Sequence, residues 1–282
     1  MVEVDWKRVQ DDDFRVPADA SIADLTEELT VMLGDPDPER RDALAYPTLA
    51  TWIERGVYDD LLAGLGDGMV AGLQIGLGGT DDDTVFRRSF SALILAECVT
   101  RDNGRPLVLG GKILQWGDAL VTWMLRERDL RGYVPGKGWA HAIAHGADGI
   151  GVFAQSPHFG PPELTVLLDV VADVLCTPVP QPLSHGEEDR LAAATMAVLR
   201  RNQVPVTVVE PWINRIAEHA QQQPDDGTDP FLVTGHAQAF LRALYLQLAL
   251  GGRPPSTRAD LMLVLVGALR VTNSHYFDPP NA

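Results

Sequence analysis

Cysteine is scarce in this sequence, and long apolar runs are absent. Only two cysteines occur among 282 residues, Cys98 and Cys176, and both lie in apolar stretches where an unpaired thiol behaves as a small hydrophobic side chain. The longest apolar runs, such as 261–266, fall far short of the ~18 residues that a membrane-spanning helix needs. The first residues also lack the basic and apolar regions of a signal peptide. These absences argue against a disulfide framework and a membrane span, and they predict a cytoplasmic protein.

Basic residues are the second deficit. The chain has 23 Lys and Arg against 39 Asp and Glu, a net charge of −16, and only three of the basic residues are lysines. The acids are spread along the chain, so its field repels nucleic-acid phosphates and anionic lipid headgroups. We therefore expect no nucleic-acid partner and no membrane partner, whereas a basic protein would be electrostatically complementary.

Short strands of alternating polarity are missing as well. The best strand candidate, 204–209, is short and carries Pro205, which cannot donate to a sheet ladder. Elsewhere the apolar positions recur with the 3.6-residue period of helices, and the connectors are rich in glycine, proline and aspartate. The pattern predicts about eleven helices. The clearest of them cover 84–100, 107–128, 139–155, 162–176, 187–202, 211–222, 231–250 and 258–272.

The domain organisation follows from this pattern. Residues 1–20 are charged and unpatterned and are expected to form a loose lead-in before a single helical domain over 21–282. Glycines recur at every fourth position from 64 to 76, and the sequence favours a break at the turn 66–68 over one continuous helix. Short loops would pair consecutive helices antiparallel. We therefore predict an all-α fold, arranged as a HEAT-like α–α superhelix or a compact helical barrel.

A segment near the middle of the chain carries the densest set of reactive side chains. A loop rich in glycine presents Lys137 and Trp139, and a helix is expected to follow. His141 and His145 are four residues apart and Asp148 is three further on, so a helix would place all three on one face. Two imidazoles and a carboxylate in this arrangement suit acid–base catalysis, with one histidine as the base and the aspartate orienting it.

The same spacing has a plain structural reading, in which both histidines pack in the core. It is not the zinc-protease signature, because Ala142 stands where that signature needs a glutamate. A metal would also need ligands from elsewhere, which the sequence does not identify. We therefore expect no metal and no cofactor, and the sequence leaves open whether the protein is an enzyme.

Five short stretches of the sequence are distinctive when taken together. They are Gly136-Lys137-Gly138-Trp139-Ala140-His141-Ala142-Ile143-Ala144-His145-Gly146-Ala147-Asp148, Leu44-Ala45-Tyr46-Pro47, Val85-Phe86-Arg87-Arg88-Ser89-Phe90-Ser91, Asp129-Leu130-Arg131-Gly132-Tyr133 and Phe240-Leu241-Arg242-Ala243-Leu244-Tyr245. Nearly the whole chain, with these stretches as its markers, resembles a bacterial family catalogued as domain of unknown function 2785.

The resemblance implies an all-helical fold and brings no activity with it. It also implies a shared site, whose catalytic candidates are His141, His145 and Asp148. The predicted ligand contacts, which would face the same hollow, are Lys137, Trp139, Arg131, Tyr133, Arg88 and Arg242.

Three functions are compatible with the sequence. The first is a pocket that holds a small molecule or a peptide and performs acid–base chemistry through the histidines, with Lys137 or Arg131 holding an anionic group. The second is a scaffold that binds a basic protein on a concave surface of helical repeats. The third is a tailoring enzyme of natural-product assembly.

Overall fold

The computed structural model describes residues 4–224 and 227–277 of the chain. In that part, helices joined by short loops account for the fold, and one antiparallel pair of two-residue strands accompanies them. The all-α prediction is confirmed, whereas the superhelix or barrel arrangement stays a prediction. The chain divides between Gly149 and Ile150 into two compact units.

The first unit holds the helices that precede residue 150 and both strands. Its elements are α1 (Trp6–Asp11), α2 (Ile22–Met32), a π-helical segment (Glu39–Ala45), α3 (Tyr46–Glu54), α4 (Leu62–Gly72), α5 (Thr84–Gly104), α6 (Gly110–Arg126), β1 (Tyr133–Val134), β2 (Gly138–Trp139) and the start of α7 (Ala142–Phe153).

The second unit continues with helices only. They are α8 (Pro161–Leu175), α9 (Glu187–Arg200), α10 (Val206–His219), α11 (Pro230–Leu250), α12 (Arg258–Thr272) and α13 (Ser274–Phe277). Helix α11 packs against α9 and α12, and α12 packs against α10.

The helix ends follow the capping residues of the sequence. The Ser21 side chain accepts a hydrogen bond of 3.1 Å from the Asp24 amide and so caps α2. The Asp229 side chain caps α11 in the same way, through the Phe231 amide. Gly56, with a φ of 79°, follows the end of α3 in the left-handed conformation that glycine adopts most readily.

The first twenty residues differ from the loose lead-in that their composition suggests. They contain α1, whose N-terminus is capped by the Asp5 side chain. Trp6 is buried, and its indole donates a 2.7 Å hydrogen bond to Glu28 of α2. Val9 is buried as well, so this short helix is held by contacts with residues distant in the sequence rather than by a helical period of its own.

The strand candidate at 204–209 is not a strand. Val206 begins α10, which continues through Pro211 to His219. Pro205 lies immediately before the helix in an extended conformation, whereas Pro211 lies inside the helix, where its missing amide removes one intrahelical hydrogen bond.

The favoured break at residues 66–68 is also wrong, because α4 runs unbroken through it. Gly66 is buried against the ring of Trp116 from α6, where a Cβ atom would overlap the indole. Asp67 accepts hydrogen bonds from the Trp116 indole at 2.9 Å and from Lys112 at 3.1 Å. The glycine therefore permits a close approach of two helices rather than a turn.

Two further properties concern the whole described part of the chain. In residues 4–224 and 227–277, no helix combines the length and apolar character needed to cross a bilayer. Cys98 is buried and Cys176 half-buried, both as free thiols, and burial raises the pKa of each thiol.

The glycines of α4 give a direct test of this packing. Gly66→Ala should lower the free energy of unfolding by about 1–3 kcal/mol, because the rigid Trp116 ring must move. Gly64 and Gly68 on the same helix are exposed, with open space where a Cβ would be added. Their alanine variants should instead gain up to about 1 kcal/mol in chemical denaturation. A stabilised Gly66→Ala protein would contradict the close approach.

Candidate functional site

A short hairpin projects two aromatic side chains to the surface. Strands β1 and β2 pair antiparallel with Tyr133 opposite Trp139. Gly136 in the turn and Gly138 at the start of β2 have φ values of 77° and 78°, in the left-handed region that glycine adopts most readily. Tyr133 remains 49% exposed and Trp139 41% exposed, so part of each ring is open to contacts from outside the chain.

From this hairpin a row of aromatic and imidazole rings, each in contact with the next, continues through the first unit. Adjacent ring centroids are separated by 5.0 Å (Tyr133–Trp139), 4.3 Å (Trp139–His141), 5.9 Å (His141–His145), 5.2 Å (His145–Phe90) and 6.2 Å (Phe90–Tyr46). We call these six residues the aromatic ladder. Most of its contacts are edge-to-face, whereas Trp139 and His141 are tilted by only 33° and overlap more nearly face to face.

His141 occupies a strained position at the start of α7. The sequence predicts a helix that already includes Trp139, but α7 begins at Ala142. His141 has a φ of 47°, in the left-handed region that non-glycine residues rarely adopt. Its amide donates to the Arg131 carbonyl at 3.1 Å, and its carbonyl accepts from the His145 amide at 2.9 Å. The hairpin and the helix together hold this backbone conformation, as is common at functional sites.

The three catalytic candidates are therefore not three residues of one regular helix. His141 precedes α7 and is half-buried, whereas His145 lies in its first turns and is 7% exposed. Asp148 follows one turn later and is half-buried. The rings of His141 and His145 nevertheless lie side by side, at 90° to each other.

Arg88 is a core residue rather than a ligand contact. It is fully buried on α5, and its guanidinium donates to both oxygens of Glu127, at 2.6 and 2.9 Å. Its remaining donor group bonds the Ile75 carbonyl and the Thr84 hydroxyl. The prediction that Arg88 faces a ligand is wrong, because every nitrogen of its guanidinium is used inside the fold.

Glu127 in turn organises the loop that leads to the hairpin. Its carboxylate also accepts from the Trp123 indole at 2.9 Å and from the amides of Arg128 and Asp129 at 2.9 and 3.0 Å. The loop after α6 is thus held to α5 by the buried charge pair of Glu127 with Arg88.

The two predicted cations of the loop are paired with acids. Arg131 donates to both oxygens of Asp129, at 2.8 and 2.6 Å, and to the Asp82 carbonyl at 2.7 Å. The bond with Asp129 raises the pKa of Arg131 further above its usual range. Lys137 contacts both oxygens of Asp83, at 2.7 and 2.8 Å. These cations attach the hairpin to the loop before α5, so neither presents an uncompensated charge to an anion.

Sequence reasoning missed Arg41, a residue of the π-helical segment. Its guanidinium is fully buried, lies 4.1 Å from the Phe86 ring centroid and donates to the Lys137 carbonyl at 2.6 Å. It also lies 5.0 Å from the ring centroid of Phe90, a member of the aromatic ladder. Its partner Asp42 has its pKa raised by burial. π-helical segments often accompany functional sites, but nothing in the sequence distinguishes this arginine from its neighbour.

The inner end of the aromatic ladder meets a groove between α3 and α5. The Tyr46 hydroxyl donates to Glu97 at 3.0 Å, and burial raises the pKa of Glu97. The groove has a volume of about 530 Å³ and is also lined by Glu54 and Arg101. The ladder thus connects an exposed hairpin to a half-buried carboxyl.

Arg242 belongs to the second unit. It is exposed on α11, where its guanidinium donates to the Asn273 side chain at 2.6 Å. In the described ranges, no three histidine, cysteine, aspartate or glutamate side chains are grouped so that they could hold a metal ion.

Comparison with known proteins gives one match. A family model described as Protein of unknown function (DUF2785) matches residues 73–246, more than half of the chain. No curated protein and no solved structure matches the chain. The matched range contains every predicted site residue, together with Phe90 and Glu127, whereas Arg41 and Tyr46 precede it.

The buried pair should dominate the stability of the site. Glu127→Ala leaves the Arg88 charge buried without a counter-ion and should lower the free energy of unfolding by roughly 3–5 kcal/mol. Replacing both residues by methionine should recover only part of that loss, because it removes the buried charge but leaves the Trp123 indole and the amides of Arg128 and Asp129 without their acceptor. Chemical denaturation of the single and double variants measures both effects. A loss below about 1 kcal/mol in Glu127→Ala would show that the pair does not anchor the loop.

The backbone at His141 can be tested separately from its ring. His141→Gly and His141→Ala both remove the imidazole, but only glycine relieves the left-handed conformation. The glycine variant should be more stable than the alanine variant by about 1 kcal/mol in chemical denaturation. The same exchange at Ala144, inside α7, serves as the control, and there glycine should be the less stable residue. Equal stability of the two His141 variants would contradict the strain.

Proposed function

The chain belongs to the family Protein of unknown function (DUF2785), as its sequence predicts, and within that family we propose that it binds a small molecule or a peptide at the outer end of the aromatic ladder. The ligand stacks on Trp139 and Tyr133, and His141 exchanges a proton with it. The observation that carries the proposal is the contact between an exposed Trp139 and the strained His141, with ring centroids 4.3 Å apart.

The rigidity of the hairpin supports a binding role. Trp139 and Tyr133 are held in place by strand pairing, by the ion pair of Lys137 with Asp83 and by the bond from Arg41 to the Lys137 carbonyl. A surface fixed in this way loses little conformational entropy when a ligand arrives. Exposed aromatic rings that are already ordered are the usual anchors of recognition.

The charge of the surroundings favours a cationic or neutral ligand over an anionic one. Arg131 and Lys137 each already have a carboxylate partner. The neighbouring loop adds Asp81, whose side chain is 83% exposed and only 3.8 Å from Arg131. An organic cation would gain from these acids and from the faces of the tryptophan and tyrosine rings. The sequence predicts a ligand with an anionic group. These contacts instead favour a ligand with a positively charged group.

The two histidines have different parts in this proposal. His141 is half-buried beside the exposed Trp139 and is the group that can reach a bound molecule. His145 is 7% exposed and packs its ring between His141 and Phe90, so it positions His141. Orientation by Asp148 stays a prediction.

Ligand-observed NMR provides the test. The probes are small aromatic amines and short arginine-containing peptides, each paired with an analogue that carries a carboxylate in place of the cation. We expect the cationic probes to bind and Trp139→Ala to lose about 2 kcal/mol, or roughly thirtyfold in Kd. The matched control is Phe231→Ala, which removes an aromatic ring that is 68% exposed on α11. Equal binding by the Trp139 and Phe231 variants, or a preference for the carboxylate analogues, would contradict the proposal.

The proton-transfer part has its own variant. His141→Asn keeps a residue that tolerates the left-handed backbone and removes the titrating ring. This variant should still bind the cationic probes within a fewfold change in Kd, whereas the dependence of that Kd on pH between about 5 and 8 should be lost with the imidazole. A pH dependence that persists in His141→Asn would assign the proton exchange to another residue.

A further inference from the structure

Helix α12 has an outer face that the described chain leaves open to solvent. Its inner positions, which include Leu261, Leu265 and Ala268, are buried against α10 and α11. On the opposite side, Leu263 is 74% exposed. The outer face therefore presents one large apolar side chain among charged and small residues.

The outward residues follow a regular spacing. Asp260, Leu263, Gly267 and Arg270 are all exposed and are separated by three, four and three residues. This is the spacing of a seam between two paired helices, and we call these four residues the α12 seam. Gly267 has open space where a Cβ would stand, so it forms a depression beside the protruding Leu263.

From this pattern we propose that two copies of the chain associate through an antiparallel pairing of their α12 seams. In such a pair, a residue that precedes position 265 of one helix faces the residue that follows position 265 of the partner helix by the same number of residues. Leu263 then enters the depression at the partner's Gly267, and Asp260 faces the partner's Arg270. Two-fold symmetry repeats both contacts, as an isologous interface requires.

Charge complementarity favours a second copy of the chain as the partner of the α12 seam. Asp260 lies in the first turn of α12 and Arg270 in the last, so an antiparallel pair brings acid to base at both ends. Neither side chain has an ion-pair partner among the described residues. A parallel pair would instead place like charges together, which is unfavourable.

The wider charge distribution points to the same face. The chain carries a net charge of −16, so two copies repel each other over most of their surfaces. Residues 230–277, however, contain four arginines and one aspartate. The repulsion is therefore weakest where the α12 seam lies. A groove of about 600 Å³ lined by Arg270, Leu269 and Tyr245 adjoins the seam and extends its apolar surface.

Analytical ultracentrifugation of the full chain tests the dimer at near-physiological salt. The wild-type protein should approach twice its chain mass of 30.7 kDa as its concentration rises. Asp260→Arg and Arg270→Asp should each raise the dimer dissociation constant roughly tenfold or more, because each creates two like-charge contacts. The control for Asp260→Arg is Glu27→Arg, the same change in net charge at an exposed position of α2, which should leave the dissociation constant within about threefold.

The double variant Asp260→Arg/Arg270→Asp separates pairing from folding. It restores both ion pairs in reversed sense, although each reversed charge opposes the dipole of its own helix. Recovery of the dimer in this variant therefore cannot come from a more stable α12. A wild-type protein that stays monomeric at all concentrations would overturn the proposal. A dimer that both single variants leave intact, or that the double variant fails to restore, would overturn the antiparallel α12 seam.

Discussion

The carboxylate of Glu127 is the group on which the geometry of the candidate site depends. It lies 4% exposed just beyond α6, and it accepts hydrogen bonds from a buried guanidinium, an indole and two backbone amides. A buried carboxylate with this many donors is satisfied only in one local conformation. Because Asp129 is fixed by this arrangement, it can hold Arg131, whose carbonyl accepts from the amide of His141. The left-handed backbone at the start of α7 is thus linked through hydrogen bonds to a charge pair in the core.

The helical fold could be predicted because its signals are local. The apolar period and the caps at Ser21 and Asp229 act within a few residues of one another, so the sequence alone is sufficient to place most helices. The failures have a different origin. Gly66 looks like a helix breaker until Trp116 is placed against it, and Trp6 orders a segment that has no period of its own. In both cases a partner distant in the sequence overrides the local preference.

The candidate site shows the same division. The stretch from Lys137 to Asp148 could be identified because its unusual side chains are neighbours in the chain. Phe90, Tyr46 and Arg41 could not, since they reach the site from other helices over 50 or more residues. The roles of the cations were also mistaken for this reason. Arg88 and Lys137 look available in the sequence, but Glu127 and Asp83 supply their counter-charges from distant positions.

The left-handed conformation of His141 also determines how related chains should be interpreted. Glycine adopts such a backbone position most readily, and asparagine, aspartate and histidine do so more often than the other residues. A glycine or asparagine at the equivalent position of a relative would therefore preserve the path of the chain without the ring. A histidine there would preserve both the path of the chain and the ring. Substitution at this one position can thus separate relatives that share only the shape of the hairpin from those that also share its chemistry.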